Sequence, residues 1–278
     1  MTERVTTRTG LALPRLGLGT WRMGEDRSRR RKELAALQRG LDLGLLLVDT
    51  AEMYGDGAAE ELVGEALRGR RDQAVLVSKV LPVNASREGT RRACEASLRR
   101  LQTDHLDLYL LHWPGPHLLE DTLAAFADLV RDGKIRHYGV SNFDRAMMER
   151  AERLPGGESV AVNQVYYGLG ERGPEWDLLP WCREHGVPVM AYSPFDGGDL
   201  LRHPVVCAVA ERRRATPAQV ALAWLLEQEG VVTFPKAGSV QHVEDDAAAR
   251  DLRLGDDDRR ELETALPPPS GPSPLATR

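Results

Sequence analysis

The chain is poor in the cysteine and histidine patterns that mark disulfide frameworks and metal sites. Only three of its 278 residues are cysteine, at Cys94, Cys182 and Cys207, and no two of them form a CxxC pair. Scattered cysteines are typical of reduced thiols, so the sequence predicts no disulfide framework and no CxxC zinc site. No HExxH or HxH pair occurs either. The chain therefore lacks the ligand spacing of a zinc-dependent hydrolase, and we expect no bound metal.

Basic charge is not in excess, and lysine is scarce. The 37 lysines and arginines are outnumbered by 42 aspartates and glutamates, which gives a net charge of −5. A nucleic-acid-binding protein usually carries a basic surface, so this balance argues against one. Only four of the basic residues are lysines, namely Lys32, Lys79, Lys134 and Lys236. Each lysine is therefore worth separate inspection.

Long hydrophobic runs are also missing. The densest apolar stretch, residues 41–48, is interrupted by Asp42 and Gly44 and is far shorter than a membrane span. The first four residues lack the apolar core of a signal peptide. We therefore expect a cytoplasmic protein with neither a membrane nor a nucleic-acid partner, and we expect it to be a monomer.

Short apolar runs alternate with amphipathic helical patterns along most of the chain. This alternation is typical of parallel strands joined by helices, and α/β barrels commonly reach about 250 residues as one domain. We therefore predict a single (β/α)₈ TIM barrel over residues 1–278. The eight predicted strands are Leu16–Gly19, Leu45–Asp49, Val75–Lys79, Leu106–His112, Ile135–Ser141, Val160–Gln164, Val187–Tyr192 and Val231–Pro235.

An open, doubly wound sheet is the alternative architecture, but the chain lacks its usual phosphate-binding turn. Gly17-Leu-Gly19 is followed by Thr20 and Trp21, so no GxGxxG motif follows the first predicted strand.

Both ends of the chain carry distinct local patterns. Two short apolar runs flank Gly10, which predicts a β-hairpin over residues 5–14 that caps the barrel floor. Residues 267–278 hold five prolines, which exclude a helix or a central strand and predict an irregular tail over the barrel mouth.

Local helix patterns agree with the barrel prediction. Leu119, Leu123, Phe126 and Val130 recur at helical spacing, and Gly133 follows as a terminator. Thr216-Pro217 is typical of a helix start, with threonine as the N-cap and proline at the first helical position.

Polar side chains stand at the carboxyl ends of the predicted strands, where barrels of this type carry their chemistry. They should therefore meet at one mouth of the barrel. Individually, Asp49 could cap a turn, His112 could be a core histidine, and Lys79 could reach the surface with its ammonium group. The residues concerned are Asp49, Lys79, His112, Ser141, Gln164, Tyr192 and Lys236.

A tyrosine near these strand ends suggests acid catalysis. Tyrosine has an ordinary pKa of about 10 and is a poor proton donor at neutral pH. An adjacent Lys79 ammonium would stabilise the anion of Tyr54, and Asp49 would keep that ammonium charged. His112 would orient or polarise a carbonyl oxygen. This combination predicts proton delivery to an oxygen that gains negative charge, as in carbonyl reduction.

The motifs that contain these residues are similar to those of the aldo-keto reductases over nearly the whole chain. The stretches 49–67 and 99–113 resemble most the bacterial branch that includes methylglyoxal reductases. The matching motifs are Leu16-Gly-Leu-Gly-Thr-Trp21, Asp49-Thr-Ala-Glu-Met-Tyr-Gly55, Val77-Ser-Lys79, Asp107-Leu-Tyr-Leu-Leu-His-Trp-Pro114, Gly133-Lys-Ile-Arg-His-Tyr-Gly-Val-Ser-Asn-Phe143, Asn163-Gln164, Ala191-Tyr-Ser-Pro194 and Pro235-Lys236.

This resemblance implies NADPH-dependent reduction of small aldehydes, ketones or ketoaldehydes such as methylglyoxal, on a barrel that binds NADPH without a Rossmann fold. It implies a catalytic tetrad of Asp49, Tyr54, Lys79 and His112, in which Tyr54 is the general acid. The residues implied for NADPH binding are Thr20, Trp21, Asp49, Ser141, Asn142, Gln164, Tyr192, Ser193, Pro194, Lys236, Ser239 and His242. The residues implied for the substrate pocket are Trp21, Tyr54, His112 and Trp113.

The resemblance also assigns parts of the cofactor. Ser141, Asn142 and Gln164 match positions that bond the nicotinamide amide, Tyr192 matches the residue that stacks on the ring, and Lys236 matches the lysine that meets the 2′-phosphate. Three positions depart from the common family pattern. Ala237 replaces a serine, His242 replaces an arginine, and Asp246 replaces an asparagine near the adenine.

The pocket mouth and the neighbouring loop are less specific. We expect Leu81 and Phe143 to add to an apolar mouth, and residues 195–199, which include a Gly-Gly pair, to form either a flap over the cofactor or an inert turn. Two other functions stay open from the sequence. One is a regulatory module that binds cofactor and modulates a partner protein, and the other is a metal-dependent barrel hydrolase.

Overall fold

The computed structural model describes residues 3–278. Within this range, ten strands and ten α-helices follow one another. The strands are β1 (Arg4–Thr6), β2 (Ala12–Pro14), β3 (Leu18–Gly19), β4 (Leu47–Asp49), β5 (Val75–Val80), β6 (Leu106–Leu111), β7 (Ile135–Ser141), β8 (Val160–Tyr166), β9 (Val189–Tyr192) and β10 (Val231–Thr233). The helices are α1 (Arg30–Asp42), α2 (Ala58–Ala66), α3 (Arg87–Leu101), α4 (Leu119–Arg131), α5 (Arg145–Glu152), α6 (Leu178–Glu184), α7 (Pro204–Arg213), α8 (Pro217–Glu227), α9 (Val240–Ala248) and α10 (Asp256–Ala265).

Strands β3 to β10 form one parallel sheet in sequential order, and this sheet closes on itself. Closure occurs where the first and last strands meet, through parallel bridges from Leu16 to Thr233 and from Gly19 to Lys236. The backbone N–H of Gly17 donates to the carbonyl of Thr233 at 2.8 Å across the same seam. The predicted (β/α)₈ barrel is therefore confirmed, and the open sheet is wrong.

The antiparallel hairpin of β1 and β2 closes the amino-terminal end of the barrel. Gly10 has a φ of 88° in the turn, a conformation that favours glycine. Leu11 and Leu13 are buried in the apolar interior of the barrel beside Val77 and Leu108. The predicted hairpin cap is confirmed, and it leaves the opposite end of the barrel open for chemistry.

Several strand limits differ from the prediction by one or two residues. His112 was placed at the end of a strand but lies directly after β6, and Gln164 was placed at a strand end but lies inside β8. The strand predicted to start at Leu45 begins at Leu47, because the backbone of residues 43–45 closes the turn after α1. These shifts do not move the polar side chains away from the carboxyl end of the barrel.

The predicted helix signals are largely confirmed. The side chain of Thr216 accepts from the N–H of Gln219 at 3.2 Å, and the Gln219 side chain accepts from the N–H of Thr216 at 3.0 Å. This capping box satisfies two free donors at the start of α8. In α4, the buried face includes Leu129, while Val130 is 38% exposed. All four residues of the predicted helical pattern lie in α4.

Two features of the fold bear on function. Within residues 3–278, no helix is long and apolar enough to cross a membrane. In the same part of the chain, no group of three or more histidine, cysteine, aspartate or glutamate side chains is arranged to hold a metal ion.

Candidate active site

A cleft of about 550 Å³ opens at the carboxyl end of the barrel strands. Its floor carries polar side chains from several strands, and its walls carry aromatic rings. Trp21 and Trp113, on opposite loops, keep 45% and 37% of their surface exposed. The lining residues are Gly19, Thr20, Trp21, Arg22, Asp49, Met53, Tyr54, His112, Trp113, Ser141, Asn142, Gln164, Tyr192, Ser193, Pro194, Phe195, Gly197, Gly198, Leu201, Phe234, Lys236 and Arg278.

Lys79 is the centre of the polar floor, where it is fully buried at the end of β5. Its Nζ donates to Asp49 Oδ2 at 2.7 Å, to the carbonyl of Thr50 at 2.8 Å and to Tyr54 Oη at 3.2 Å. An ammonium group has three protons, so all three are engaged. Tyr54 Oη accepts from Lys79 and donates to no group within residues 3–278, which leaves its own proton free for the cleft.

The charges of this group support one another. Burial alone would lower the pKa of Lys79, but the charge and hydrogen bond of Asp49, with those of Tyr54, raise it above its ordinary value. Lys79 is therefore an ammonium at neutral pH. Asp49 Oδ1 also accepts from Gln164 Nε2 at 2.8 Å, so both carboxylate oxygens have donors. These hydrogen bonds offset the cost of burying the Asp49–Lys79 salt bridge away from water.

The net shift of the Tyr54 pKa is upward in the structure without a ligand. Burial raises the pKa of Tyr54 above its ordinary value, and the lowering effect of Lys79 is smaller. The phenol therefore holds its proton at neutral pH. The lysine still lies where it stabilises a phenolate, since its Nζ contacts the oxygen that would become charged.

His112 is uncharged at neutral pH. Burial and then the charge of Lys79 lower the pKa of His112 to about 2. Its Nδ1 is buried without a hydrogen-bond partner within residues 3–278, and its ring lies edge-on to Tyr54 with 5.8 Å between the centroids. A neutral imidazole beside a phenol can bond a carbonyl oxygen without competing for the proton of the phenol.

One wall of the cleft carries amide and hydroxyl groups next to an aromatic face. Tyr192 donates from its hydroxyl to Asn142 Oδ1 at 2.9 Å, and Asn142 Nδ2 donates to the carbonyl of His112 at 3.1 Å. Ser141 Oγ donates to the carbonyl of Gln164 at 2.8 Å. Gln164 Oε1 accepts no hydrogen bond within residues 3–278, so it is available to a ligand.

Three residues of the cleft have a left-handed backbone although they are not glycine. The φ angles of Arg22, Asn142 and Ser193 are 60°, 60° and 53°. Such a conformation costs about 1–3 kcal/mol and persists where the surrounding structure enforces it, commonly at active sites. Three of the seven non-glycine residues with a positive φ in residues 3–278 line this cleft, which supports its assignment as the functional site.

The structure brings together most of the residues proposed from the sequence. Asp49, Tyr54, His112 and Trp113 line the cleft, as do all the proposed cofactor residues up to Lys236. Lys79 is fully buried and contacts the cleft only through Asp49 and Tyr54. Ser239 and His242 are not part of the lining. They lie at the start of α9, where Ser239 Oγ accepts from the His242 N–H at 3.4 Å.

The expectations for Leu81 and Phe143 are wrong. Leu81 is outside the cleft, and its N–H donates to Glu52 at 2.7 Å. Phe143 is only 3% exposed and packs into the core outside the barrel, directly after the left-handed turn at Asn142. Sequence reasoning missed five lining side chains, whose positions depend on loop geometry that no motif encodes. They are Arg22, Met53, Leu201, Phe234 and Arg278.

The cleft fits a nicotinamide nucleotide by its donor set. Gln164 Oε1 and the hydroxyl and amide of Ser141 and Asn142 stand beside the part-exposed ring of Tyr192, which suits a planar ring with an amide group. Lys236, an exposed cation on the same cleft, suits a phosphate group.

Comparison with known proteins agrees with this geometry. Residues 15–267 match the model of the aldo/keto reductase family. A methylglyoxal reductase of Escherichia coli strain K12, YeaE, is 50% identical over 270 residues, which cover 95% of each chain. An aldo/keto reductase from Klebsiella pneumoniae, solved in complex with NADP and acetate, is 48% identical with a TM-score of 0.97 over 100% of both chains.

A second structure from Klebsiella pneumoniae, an aldo-keto reductase in complex with NADPH, has the same TM-score of 0.97 and the same identity of 48% over both full chains. The family match covers most of the chain and includes the strand ends that form the cleft. The chain therefore belongs to the aldo/keto reductase family of oxidoreductases.

Proposed function

We propose that the protein is an NADP-dependent reductase that converts small aldehydes, ketones or ketoaldehydes such as methylglyoxal to alcohols, with Tyr54 as the general acid. One observation carries this proposal. Lys79 Nζ donates to Tyr54 Oη at 3.2 Å while its other protons are held by Asp49 and Thr50, so the phenolic proton is free for a ligand. The relatives named for methylglyoxal reduction and the neighbours with NADP and NADPH support the substrate class and the cofactor.

The residues of the cleft divide the reaction between binding and proton transfer. Gln164 Oε1 and the Ser141–Asn142 pair would hold the amide of the nicotinamide, and Tyr192 would support the face of its ring. When bound, this cofactor supplies a hydride to the carbonyl carbon of the substrate. The protein supplies the proton, and it does so at the carbonyl oxygen.

Tyr54 donates that proton as the carbonyl oxygen gains negative charge. The phenolate that remains faces the Lys79 ammonium, whose charge is maintained by Asp49. His112, held neutral by burial, donates a hydrogen bond to the same carbonyl oxygen and orients the substrate. The negative charge that develops on Tyr54 Oη faces an ammonium group that already contacts it, which keeps the cost of reorganisation low.

Trp21, Met53 and Trp113 make the outer part of the cleft apolar. Water is displaced from this part when a substrate carbon skeleton enters, which strengthens the polar interactions at the floor. The exposed apolar surface of these side chains suits the carbon skeleton of a small carbonyl compound.

Steady-state kinetics with purified protein tests the function. Methylglyoxal and a series of aromatic aldehydes should be reduced with NADPH, and more slowly with NADH, which lacks the 2′-phosphate. Lys236→Met should raise the KM for NADPH far more than that for NADH. Lys32→Met is the matched control, because Lys32 is exposed on α1 away from the cleft. Absence of turnover of every carbonyl compound with either cofactor would refute the proposal.

A further inference from the structure

The last residue of the chain reaches back into the cleft mouth. The Arg278 guanidinium forms an ion pair with Asp196, and its Nη1 also donates to Tyr166 Oη at 3.3 Å. The backbone N–H of Arg278 donates to Tyr192 Oη at 3.3 Å. Tyr166 and Asp196 are themselves hydrogen-bonded. We call the three side chains of Tyr166, Asp196 and Arg278 the tail latch.

The tail latch is partly shielded from solvent. The side chains of Arg278 and Asp196 are 38% and 31% exposed, and the Tyr166 ring stacks on Tyr192 with 5.8 Å between centroids and 19° between planes. Charge-assisted hydrogen bonds that share one carboxylate are stronger than a single exposed ion pair. The tail latch is therefore more than a chance pairing of two surface charges.

The segment fixed by this latch, residues 193–199, has little backbone support of its own. Its hydrogen bonds are local, from the N–H of Asp196 to Ser193 at 3.0 Å and from that of Gly198 to Phe195 at 2.8 Å. Gly197 and Gly198 have φ values of 62° and 101°, which glycine adopts at low cost. Phe195 packs on the core, but the polar side of the segment is held by Arg278 and Tyr166.

Arg278 covers this segment directly. A Cβ atom at Gly197 would collide with Arg278 Nη2, so the guanidinium lies against the Gly197 backbone, and both residues line the cleft. From Tyr192, contacts continue to Asn142 and then to the carbonyl of His112. Three hydrogen bonds therefore link the backbone of Arg278 to the carbonyl of His112 by way of Tyr192 and Asn142.

We propose that Arg278 is a positioning residue whose ion pair with Asp196 holds residues 193–199 and the Tyr192 ring against the cleft, and thereby sets the rate at which the cofactor dissociates. This inference rests on the proposed NADP-dependent function. It concerns the wall and the opening of the cleft. Proton transfer by Tyr54 and Lys79 takes place at the floor and does not depend on it.

Three variants and one control test the tail latch. Arg278→Met and Asp196→Asn each remove the ion pair, and the double exchange Asp196→Arg with Arg278→Asp restores it in reverse. Asp199→Asn is the matched control, because Asp199 forms an exposed ion pair with Arg202 at 2.6 Å in the next turn, outside the cleft lining. None of these positions belongs to the tetrad.

Hydrogen exchange of the cofactor-free protein gives a readout that does not depend on activity. Exchange of residues 193–199 should be faster in Arg278→Met and Asp196→Asn, and it should return toward the wild-type rate in the double exchange. Asp199→Asn should exchange at the wild-type rate through Phe195 to Gly198. Equal exchange in all proteins would overturn the proposal.

Stopped-flow fluorescence gives the dissociation rate of NADPH. We expect it to rise about five- to tenfold in both single variants, since an interaction of this kind is commonly worth about that factor. Added salt should speed NADPH dissociation from the wild type by a larger factor than from the variants, because it screens the Lys236–phosphate contact in all of them but the Arg278–Asp196 ion pair only in the wild type. Faster exchange with unchanged NADPH dissociation would also overturn the proposal, because the segment would then not control release.

The two proposals fail in different ways. If the wild type binds no NADPH, the proposed function fails, while hydrogen exchange still tests whether Arg278 holds the segment. If the wild type binds and uses NADPH but Arg278→Met dissociates it at the wild-type rate, only the tail latch fails. Arg278→Lys keeps the charge and should retain most of the wild-type behaviour.

Discussion

Replacing Asp246 with asparagine should stabilise the protein at neutral and alkaline pH. Asp246 lies in α9 and is only 4% exposed. Burial, and then the neighbouring charge of Asp245, raises the pKa of Asp246 from 3.8 to about 7. The folded protein therefore binds this proton more tightly than the unfolded chain does. Stability from this group is fully present below pH 3.8 and is lost as the pH rises through 7.

The size of the effect follows from the difference between the two pKa values. The shift from 3.8 to about 7 is roughly three units, and each unit corresponds to about 1.4 kcal/mol. Asp246 therefore destabilises the folded state at pH 8 by about 4 kcal/mol relative to an acid solution. Between pH 5 and pH 7 the loss is about 2 kcal/mol. An asparagine has the same shape and never ionises, so the variant avoids this loss.

Urea denaturation at several pH values between 5 and 8 measures the effect. The quantity to compare is the free energy of unfolding of Asp246→Asn minus that of the wild type. His112, whose pKa is about 2, makes stability rise with pH up to its ordinary pKa of about 6.5, but this contribution is the same in both proteins.

The difference should grow by about 3 kcal/mol from pH 5 to pH 8. Asp251→Asn is the control, since Asp251 is exposed just beyond the same helix, and its difference should stay constant. If the difference in unfolding free energy between Asp246→Asn and the wild type does not change with pH, the reasoning that ionisation of the buried Asp246 destabilises the fold is refuted.

Three further substitutions test separate parts of the structure. Lys79→Met should lower kcat and destabilise the fold by about 3–5 kcal/mol, because it leaves Asp49 buried without its partner; equal unfolding free energies in urea would contradict the buried pair. Thr216→Ala should cost about 1 kcal/mol by removing the capping box of α8, whereas an unchanged midpoint in thermal unfolding would show that the cap contributes nothing. His242→Arg should tighten NADPH by about 1 kcal/mol and leave NADH unchanged, since arginine grips a phosphate with a permanent charge; fluorescence titration with both cofactors decides this, and equal gains for the two would place residue 242 away from the 2′-phosphate.

The barrel and its polar floor could be predicted from the sequence because both follow from local chemistry. Apolar runs at β5, β6 and β8 are long and regular, and they end next to polar residues that the parallel strands bring to one mouth. Asp49, Lys79 and His112 belong to such strand ends, and Lys79 is one of only four lysines. The predicted limits of the short strands β3 and β10 differ from those in the structure, because tertiary pairing across the seam determines where these strands begin and end.

The rim of the cleft could not be predicted in the same way. Phe143 follows closely after β7, but the left-handed turn at Asn142 precedes it, and its side chain packs into the core. The sequence predicts an irregular tail over the barrel mouth, but it does not predict the contacts of Arg278 with Asp196 and Tyr166, which are far away in sequence. The direction of the Tyr54 pKa shift also could not be predicted from the sequence, because it depends on how far the phenol is buried beside the ammonium.

The central claim is that Tyr54 delivers the proton in carbonyl reduction, and comparison of the wild type with Tyr54→Phe tests it most directly. The substitution removes one oxygen atom and keeps the ring that packs edge-on to His112. We expect kcat with methylglyoxal and NADPH to fall by about 10²–10⁴. The dissociation constant of NADPH, measured by fluorescence titration, should stay within about twofold of the wild-type value, since the phenol faces the substrate oxygen. Turnover near the wild-type rate in Tyr54→Phe would contradict the account.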